Sequence, residues 1–173
     1  MKRGLFVGRF QPFHLGHLED IKTALKEVDE LIIVIGSSNE VDTKENPFTV
    51  EERHKMIDLT LQANGINNYR VYPIRDFGDD KKWVKHIETL VPKFNVVYTG
   101  NKWTEECFKE TKYKIKKVKI IKGISSTIIR NMMLKGMDRF SLVPKEVIDY
   151  ISEIDGMDRV KEMGISPEGD LHS

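Results

Sequence analysis

Two histidines lie three residues apart in Gly8–His17, a stretch near the start of the chain that reads GRFQPFHLGH. If both His14 and His17 are helical, their side chains share one face of the helix. A turn that opens a helix offers free N–H groups and a partial positive charge, so a phosphate is its natural ligand. Gly16 removes side-chain bulk where that phosphate must approach, and Arg9 adds a permanent positive charge. The stretch therefore predicts a phosphate-binding turn.

A second stretch that could bind an anion lies far along the chain, in Gly123–Arg130 (GISSTIIR). A serine-rich turn is a typical helix cap, and its hydroxyls and free N–H groups form an anion site. Arg130 lies one turn into the predicted helix, from where it can reach a phosphate. Two anion sites from distant parts of the chain predict a polyphosphate held between two helix starts.

The elements that must position these turns alternate along the chain. Apolar runs predict buried strands at Gly4–Val7, Glu30–Gly36, Val71–Ile74 and Asn95–Asn101. Helical spacing of apolar residues follows the strands, beginning with Leu18–Leu25 and continuing to Pro144–Ile151 near the end. The alternation predicts an α/β fold, a Rossmann-like doubly wound parallel sheet in a single domain with C-terminal helices. Such folds bind ligands at the turns that follow their strands, which is where the first stretch lies.

Local signals set several element boundaries. Thr49 and Glu52 form a capping box at the start of a helix that ends before Gly65. Pro73 indicates a strand end or a sheet edge, and Gly156 is expected to end the helix that Pro144 opens. Lys112–Lys122 alternates lysine with apolar residues but slips in phase, which predicts a bulged strand or two short strands at an edge. Residues 1–163 are expected to form the domain and 164–173 a flexible tail.

Composition bounds the class of protein. The 173 residues suit one domain, and the net charge of +1, from 28 basic and 27 acidic residues, argues against a nucleic-acid partner. The single cysteine, Cys107, cannot form an internal disulfide and fits a reducing compartment. The sequence has no apolar run long enough for a membrane helix. We therefore expect a cytoplasmic protein without a membrane or nucleic-acid partner.

The two turns together resemble the signature of the nucleotidylyltransferases, and GRFQPFHLGH looks most like the archaeal-type nicotinamide mononucleotide (NMN) adenylyltransferases. The later element matches the I-S-x-T-x-[IV]-R pattern of that family, and the resemblance extends to about Met163. It implies transfer of the adenylyl group of ATP to NMN, giving NAD and pyrophosphate, with Mg²⁺ carried by the ATP. It also implies a homo-oligomer, with hexamers among the relatives.

The resemblance assigns roles to individual residues. It implies catalytic roles for His14, His17 and Arg130, with His17 holding the α-phosphate and Arg130 neutralising the departing β- and γ-oxygens. The remaining family positions imply substrate contacts, and they are Gly8, Arg9, Phe10, Gln11, Gly16, Gly100, Asn101, Ile124, Ser125, Ser126, Thr127, Asp80 and Trp83. No protein nucleophile is needed, because the acceptor phosphate is already ionised.

Several of these positions have two readings. Trp83 is either a core anchor or, as the family implies, the ring that stacks on nicotinamide. Asp80 stands where the family has asparagine, and a carboxylate can accept hydrogen bonds from an amide but cannot donate to its carbonyl. The polar loop Ser37–Pro47 is either a substrate lid or a plain surface loop. Arg53 is either a ligand or a surface arginine paired with a glutamate.

The acceptor and the activity also have alternatives. Another nucleotidylyltransferase of the same superfamily would use flavin mononucleotide, phosphopantetheine or a CTP-dependent acceptor. A non-catalytic nucleotide-binding regulator is the alternative from a different class, and the intact histidines and Arg130 weigh against it.

Overall fold

A five-stranded parallel sheet forms the centre of the molecule. The structure is a computed structural model that describes residues 1–119, 121–136 and 140–164. The strands are β1 (Arg3–Gly8), β2 (Glu30–Ile35), β3 (Tyr69–Pro73), β4 (Val96–Thr99) and β5 (Lys114–Lys117). Their order across the sheet is β3-β2-β1-β4-β5, and every neighbouring pair is parallel. The predicted strands and the predicted Rossmann-like parallel sheet are confirmed.

Helices follow the strands as the alternation predicts. They are α1 (Leu15–Ala24), α2 (Val50–Ala63), α3 (Asp80–Leu90), α4 (Lys102–Phe108), α5 (Ser126–Leu134), α6 (Lys145–Glu153) and α7 (Gly156–Gly164), with a short 3-10 helix at Phe140–Leu142. The predicted capping box opens α2, because Thr49 Oγ1 accepts from the Glu52 N–H at 3.1 Å and Glu52 Oε1 accepts from the Thr49 N–H at 2.9 Å. In the described part of the chain, no helix is long and apolar enough to cross a membrane.

The strands bury both faces of the sheet, so their side chains alternate between two cores. Phe6 and Ile33 point to one core, where they meet apolar residues of α1, α2, α5, α6 and α7. Leu5 and Ile32 point to the other core, which α3 and α4 cover. Helices on both faces make the sheet doubly wound.

The strand order creates a crevice between β1 and β4. The chain runs outward from β1 through β2 to β3, then returns to the other side of β1 to form β4 and β5. The turns that follow β1 and β4 therefore leave in opposite directions, and doubly wound folds bind ligands in the gap between such turns. Gly8 ends β1 and Thr99 ends β4, so the predicted phosphate turn lies at this gap.

The prediction that Gly156 ends the preceding helix is wrong. Helix α6 ends at Glu153, Asp155 takes the left-handed backbone conformation (φ 54°), and Gly156 begins α7. A Cβ on Gly156 would lie 2.8 Å from Ile151 Cγ2 and 3.1 Å from the Ile151 carbonyl oxygen. This glycine therefore permits close packing between two helices, whereas the sequence pattern alone suggests a helix stop.

The lysine-rich stretch forms a shorter strand than predicted. Within Lys112–Lys122, leaving aside Ile120, the structure assigns a strand only to Lys114–Lys117. It lies at the edge of the sheet, as predicted, and Pro73 ends the opposite edge strand, as predicted. The expected tail 164–173 lies outside the described residues except for Gly164, which ends α7.

Candidate active site

A cavity of about 320 Å³ opens at the gap between β1 and β4, and we call it the histidine cavity. Its lining includes nearly all the residues predicted to bind or act on a nucleotide, namely Gly8, Arg9, Phe10, Gln11, His14, Gly16, His17, Gly100, Asn101, Ile124, Ser125, Ser126, Thr127 and Arg130. Asp80 and Trp83 are the two predicted site residues that it does not include. The structure thus brings both anion-binding turns to one place.

Two hydrogen bonds join the turns directly. Ser126 Oγ donates to the Pro12 carbonyl oxygen at 3.0 Å, across 114 residues of sequence. Arg130 Nη1 donates to the Gln11 carbonyl oxygen at 2.9 Å, across 119 residues. The starts of α1 and α5 therefore lie side by side, as a polyphosphate held between two helix starts requires.

The two histidines cap helix α1 as a reciprocal pair. The His17 N–H donates to His14 Nδ1 at 3.3 Å, and the His14 N–H donates to His17 Nδ1 at 3.1 Å. Their rings stack at 3.6 Å between centroids, inclined by 19°. Because each Nδ1 accepts a hydrogen bond, each neutral imidazole carries its proton on Nε2. Both rings therefore hold an Nε2–H donor for a ligand.

Burial keeps these imidazoles neutral. Loss of hydration lowers the pKa of His14 to about 4. Burial, and then the nearby charge of His14, lowers the pKa of His17 well below its usual range. At neutral pH the pair therefore offers a ligand two neutral hydrogen-bond donors rather than two cations.

Gly16 makes room for the stacked pair. A Cβ on Gly16 would lie 2.8 Å from His14 Cε1 and 3.0 Å from His14 Nδ1. The predicted reason for this glycine is space for a phosphate, and the structure shows that the His14 ring occupies the space a side chain would take.

Arg130 supplies a buried positive charge. Its side chain is 7 % exposed, and its hydrogen bonds go to the neutral Gln11 carbonyl and, from Nη2, to Thr127 Oγ1 at 3.3 Å. Burial and then the charge of Arg9 lower the pKa of Arg130, against a smaller opposing effect of Glu45. Two cations that repel each other across a partly dehydrated cavity are stabilised by an anion placed between them.

Some predicted contact residues have structural roles for their side chains. Gln11 Nε2 donates to the Phe48 carbonyl oxygen, and Gln11 Oε1 accepts from the Phe48 N–H, both at 2.9 Å. Phe10 is buried and packs edge-on to His17 at 4.7 Å between ring centroids. Ser125 Oγ accepts from the Ile128 N–H and caps α5. Since these side chains bind within the protein, what Gln11 and Ser125 can offer a ligand is mainly backbone.

Asp20 is a site residue that the sequence reasoning missed. It lines the histidine cavity as a half-buried carboxyl group. Burial, and then the charge of Glu19, raises its pKa to about 7. A usable signal was present, because Asp20 lies three residues after His17 and so on the same helix face.

A second cavity, of about 350 Å³, adjoins the first, and we call it the tryptophan cavity. Its lining is Val7, Gly8, Arg9, Gly36, Ser37, Asp76, Trp83, Asn101, Trp103 and Thr104. The two cavities share Val7, Gly8, Arg9 and Asn101. A ligand in either cavity therefore approaches the other across the turn that follows β1.

The two aromatic residues of this cavity differ in exposure. Trp83 is 2 % exposed and packs against Trp103 and Phe108, with ring centroids 4.7 Å and 5.9 Å away. Trp83 therefore belongs to the core that α3 and α4 form, and it also lines the tryptophan cavity. Asp80 lines neither cavity, and its Oδ1 accepts from Trp103 Nε1–H at 3.2 Å.

Arg53 is a buried structural residue, so its reading as a surface arginine is wrong. It is 0 % exposed, and Nη1 donates to the carbonyl oxygens of Arg9 at 3.1 Å and Gly36 at 2.8 Å. Nη2 donates to the Ser37 carbonyl oxygen at 3.1 Å. These bonds hold the turn after β1 against the end of β2. Burial and then the charge of Arg9 lower the pKa of Arg53 to about 10.

Fold and site together define a Rossmann-type nucleotidyltransferase. The chain belongs to the cytidylyltransferase-like family, whose family model matches residues 5–132. Within that class it belongs with the nicotinamide-nucleotide adenylyltransferases, as its similarity to curated proteins shows. The protein of that name from Thermoplasma volcanium is 42% identical over 96% of this chain and 94% of its own length. That from Methanococcus vannielii is 47% identical over 93% and 94%.

A solved structure has the same fold. It is a bifunctional NMN adenylyltransferase/ADP ribose pyrophosphatase from Francisella tularensis, complexed with AMP and a manganese ion. The TM-score is 0.70 at 24% identity, over 96% of this chain and 56% of that one. At this identity the match supports the fold alone, and this chain spans little more than half of the larger protein.

Proposed function

We propose that this chain transfers the adenylyl group of ATP to nicotinamide mononucleotide, forming NAD and pyrophosphate. One observation carries the proposal: the histidine cavity, built for a polyphosphate, shares its Gly8–Arg9 wall with a cavity lined by two tryptophans. A triphosphate in the first and an aromatic nucleotide in the second would bring their phosphates together at Arg9. The names of the curated relatives support the same reaction.

The chemistry is an in-line displacement at the α-phosphorus of ATP. An oxygen of the acceptor's 5′-phosphate forms a bond to that phosphorus, while the bond from it to the oxygen bridging to the β-phosphate breaks. Pyrophosphate leaves with the electron pair. Because the acceptor phosphate is already ionised, the protein has to supply position and charge stabilisation rather than a nucleophile.

Each side chain then has a defined task. His17 donates its Nε2–H to an α-phosphate oxygen, and His14 assists from the stacked ring. Arg130 neutralises the β- and γ-oxygens as pyrophosphate leaves. Arg9, on the wall shared by both cavities, holds the acceptor phosphate toward the α-phosphorus. The free N–H groups at the starts of α1 and α5 bind the remaining phosphate oxygens.

The proposed metal is Mg²⁺ carried by ATP. Among the described residues, no cluster of three or more His, Cys, Asp or Glu side chains could hold a metal ion. Among the side chains that line the histidine cavity, the one carboxyl group is that of Asp20, which could offer the ion an oxygen ligand. This donor set fits an ion bound mainly by substrate oxygens. When bound, Mg²⁺ neutralises charge on the triphosphate.

An acceptor assay tests the proposal. The purified protein is incubated with ATP, Mg²⁺ and one acceptor at a time, with pyrophosphate release as the readout and NAD identified by chromatography. We expect release with nicotinamide mononucleotide. Release only with flavin mononucleotide or phosphopantetheine, or only when CTP replaces ATP, would identify another nucleotidylyltransferase. No release under any condition would identify a nucleotide-binding regulator.

The cellular setting is part of the same proposal. An enzyme that uses ATP and nicotinamide mononucleotide is expected in the cytoplasm, with no nucleic-acid or membrane partner. The family resemblance further implies a homo-oligomer, with a hexamer as one form. Light scattering coupled to size-exclusion chromatography measures the number of copies.

A further inference from the structure

We propose that Arg159, on helix α7, is a positioning residue for Arg130 in the histidine cavity. It acts from a distance, through Phe48 and Gln11, and it lines neither cavity itself. The inference rests on the proposed function, because it gives Arg159 an effect on the step in which Arg130 neutralises the leaving pyrophosphate.

Arg159 fastens α7 to the start of α2. Its guanidinium forms a two-pronged ion pair with Glu52, in which Nη1 donates to Oε2 and Nη2 donates to Oε1, the latter at 2.9 Å. Nη2 also donates to the Pro47 carbonyl oxygen at 3.1 Å, and the guanidinium carbon lies 6.0 Å from the centre of the Phe48 ring. A planar fork that bonds both carboxylate oxygens has one favoured orientation. Arg159 therefore determines where the backbone of Pro47 and Phe48 lies.

This ion pair is charged at neutral pH and is partly sheltered from solvent. The side chains of Arg159 and Glu52 are 27 % and 14 % exposed. Burial by itself raises the pKa of Glu52, but the hydrogen bonds from Arg159 and from the Thr49 N–H, together with the charge of Arg159, lower it overall. Because a sheltered pair is screened less than an exposed one, it can hold a segment of backbone in place.

Phe48 transmits this position to the turn after β1. Gln11 Nε2 donates to the Phe48 carbonyl oxygen and Gln11 Oε1 accepts from the Phe48 N–H, both at 2.9 Å. Gln11 is 1 % exposed and Phe48 is 0 % exposed, so water cannot replace these bonds when they break. The Gln11 carbonyl oxygen in turn accepts from Arg130 Nη1 at 2.9 Å. Hydrogen bonds and the peptide link between Pro47 and Phe48 thus connect Arg159 to the guanidinium of Arg130.

The connection matters because it sets the direction in which Arg130 points. If the Pro47–Phe48 segment shifts, the Gln11 peptide shifts with it and moves the carbonyl oxygen that holds Arg130. A misplacement of about 1 Å caused by a distant mutation can lower a rate about 10²-fold. The same contacts could instead serve stability alone, which predicts a lower Tm without a lower kcat. The two roles therefore differ in a measurable way.

Steady-state kinetics of Arg159→Ala test the role, with pyrophosphate release measured well below the Tm of the variant. We expect kcat to fall about ten-fold, since a shifted Arg130 stabilises the leaving group less well. KM for both substrates should stay within about two-fold, because Arg130 is proposed to act on charge that develops in the transition state. Arg159→Lys keeps the charge but loses the fork, so it should recover part of the kcat.

Val160→Ala is the matched control for stability. Val160 is the next residue of α7, it is 1 % exposed, and its side chain belongs to the main core. The variant loses packing of the same helix and keeps the ion pair, so it should lower Tm and leave kcat at the wild-type value. Glu52→Gln is a milder test, because glutamine can still complete the capping box with Thr49 while it weakens the pairing with Arg159. It should lower kcat by a smaller factor than Arg159→Ala.

A double-mutant cycle separates positioning from general damage. In an Arg130→Ala background, Arg159→Ala should lower kcat no further, because the group that it positions is already gone. Its effect on Tm should persist in that background, since the contacts of Arg159 with Glu52 and Pro47 remain to be lost. A purely structural residue would instead lower kcat by the same factor in both backgrounds.

The two proposals fail separately. If the wild type makes NAD while Arg159→Ala keeps kcat within about two-fold of wild type, the positioning role is wrong and the proposed function stands. Equal losses of kcat with and without Arg130 would also overturn the positioning role, as would an equal loss in Val160→Ala at the same loss of Tm. If the wild type forms no NAD from ATP and nicotinamide mononucleotide, the proposed function is wrong and the role of Arg159 is wrong with it.

Discussion

Replacing Arg130 by alanine separates the catalytic role of this side chain from its structural one. Its Nη1 donates to the Gln11 carbonyl oxygen and its Nη2 to Thr127 Oγ1, so it joins α5 to the turn after β1. It is also the buried cation of the histidine cavity, proposed to neutralise the leaving pyrophosphate. The alanine variant loses both functions at once, but the expected loss of stability is small and the expected loss of kcat is large, so the two can be measured apart.

The structural loss is small. Hydrogen bonds from a charged donor contribute about 1.5–3 kcal/mol each. Removal of a dehydrated cation close to Arg9 offsets part of that, because burial and Arg9 both disfavour the charge of Arg130. A net loss of about 1–2 kcal/mol lowers Tm by roughly 2–8 °C in a domain of this size. Since typical domains have about 5–15 kcal/mol of stability, the variant stays folded at 25 °C.

The catalytic loss is large. Removing one donor that stabilises charge in the transition state typically lowers kcat about 10²–10³-fold. Arg130→Lys keeps the charge but loses the guanidinium fork, so we expect a smaller loss. The assay is pyrophosphate release at saturating ATP and nicotinamide mononucleotide, with thermal melts of each variant.

Arg70→Ala is the matched control. Arg70 lies on β3, its half-exposed side chain pairs with Glu30 of β2, and it lines neither cavity. It should keep wild-type kcat. A kcat within three-fold of wild type for Arg130→Ala would refute the assignment. So would a loss of activity that disappears when the assay is run well below the variant's Tm.

Three further predictions concern the start of α1. The pKa of about 4 for His14 lies below its usual value, so the unfolded chain binds a proton more readily between about pH 6.5 and 4. Stability should fall as the pH falls through that window, by up to about 3 kcal/mol from this residue, and the melting curves of His14→Asn should show less of that fall. The raised pKa of Asp20, about 7, has the opposite effect on stability. The folded chain keeps this proton up to about pH 7, whereas the unfolded chain has a pKa of 3.8 there, so stability should fall as the pH rises between these values. Asp20→Asn should therefore raise Tm by about 2–6 °C at pH 8 and by much less at pH 4, after allowance for partial exposure; an equal gain at both would contradict the cause given. Gly16→Ala places a Cβ 2.8 Å from His14 Cε1 and should lower kcat at least ten-fold, whereas Gly78→Ala, with nothing within 4 Å of its Cβ, should leave activity unchanged.

Much of the fold could be predicted because its signals are local. The apolar runs predicted β1 to β4, and the capping box of Thr49 and Glu52 predicted the start of α2 correctly. Gly156 was predicted wrongly, because its close packing against Ile151, rather than a local turn, explains why a glycine lies there. The lysine-rich edge strand was also predicted too long, since side-chain alternation persists beyond the residues that pair with β4.

For the candidate site too, the features that depend on neighbouring residues were predicted from the sequence, and those that depend on distant contacts were not. The two turns were predicted from sequence as anion sites, and the structure brings His14, His17 and Arg130 to one cavity. Sequence reasoning placed Asp80 at the substrate, whereas the structure joins its carboxylate to Trp103. That contact spans 23 residues and two helices, so no short-range pattern reports it.

The sequence by itself determined the order of strands and helices, their caps, and the two short stretches able to bind phosphate, because each of these depends on residues within a few positions of one another. Only the tertiary structure decided which stretches meet, which arginines are buried and which tryptophan stays exposed. Those outcomes depend on hydrogen bonds such as that between Ser126 and Pro12, across 114 residues. Such bonds form only when the sheet order has placed β1 beside β4 and α5 beside the first turn.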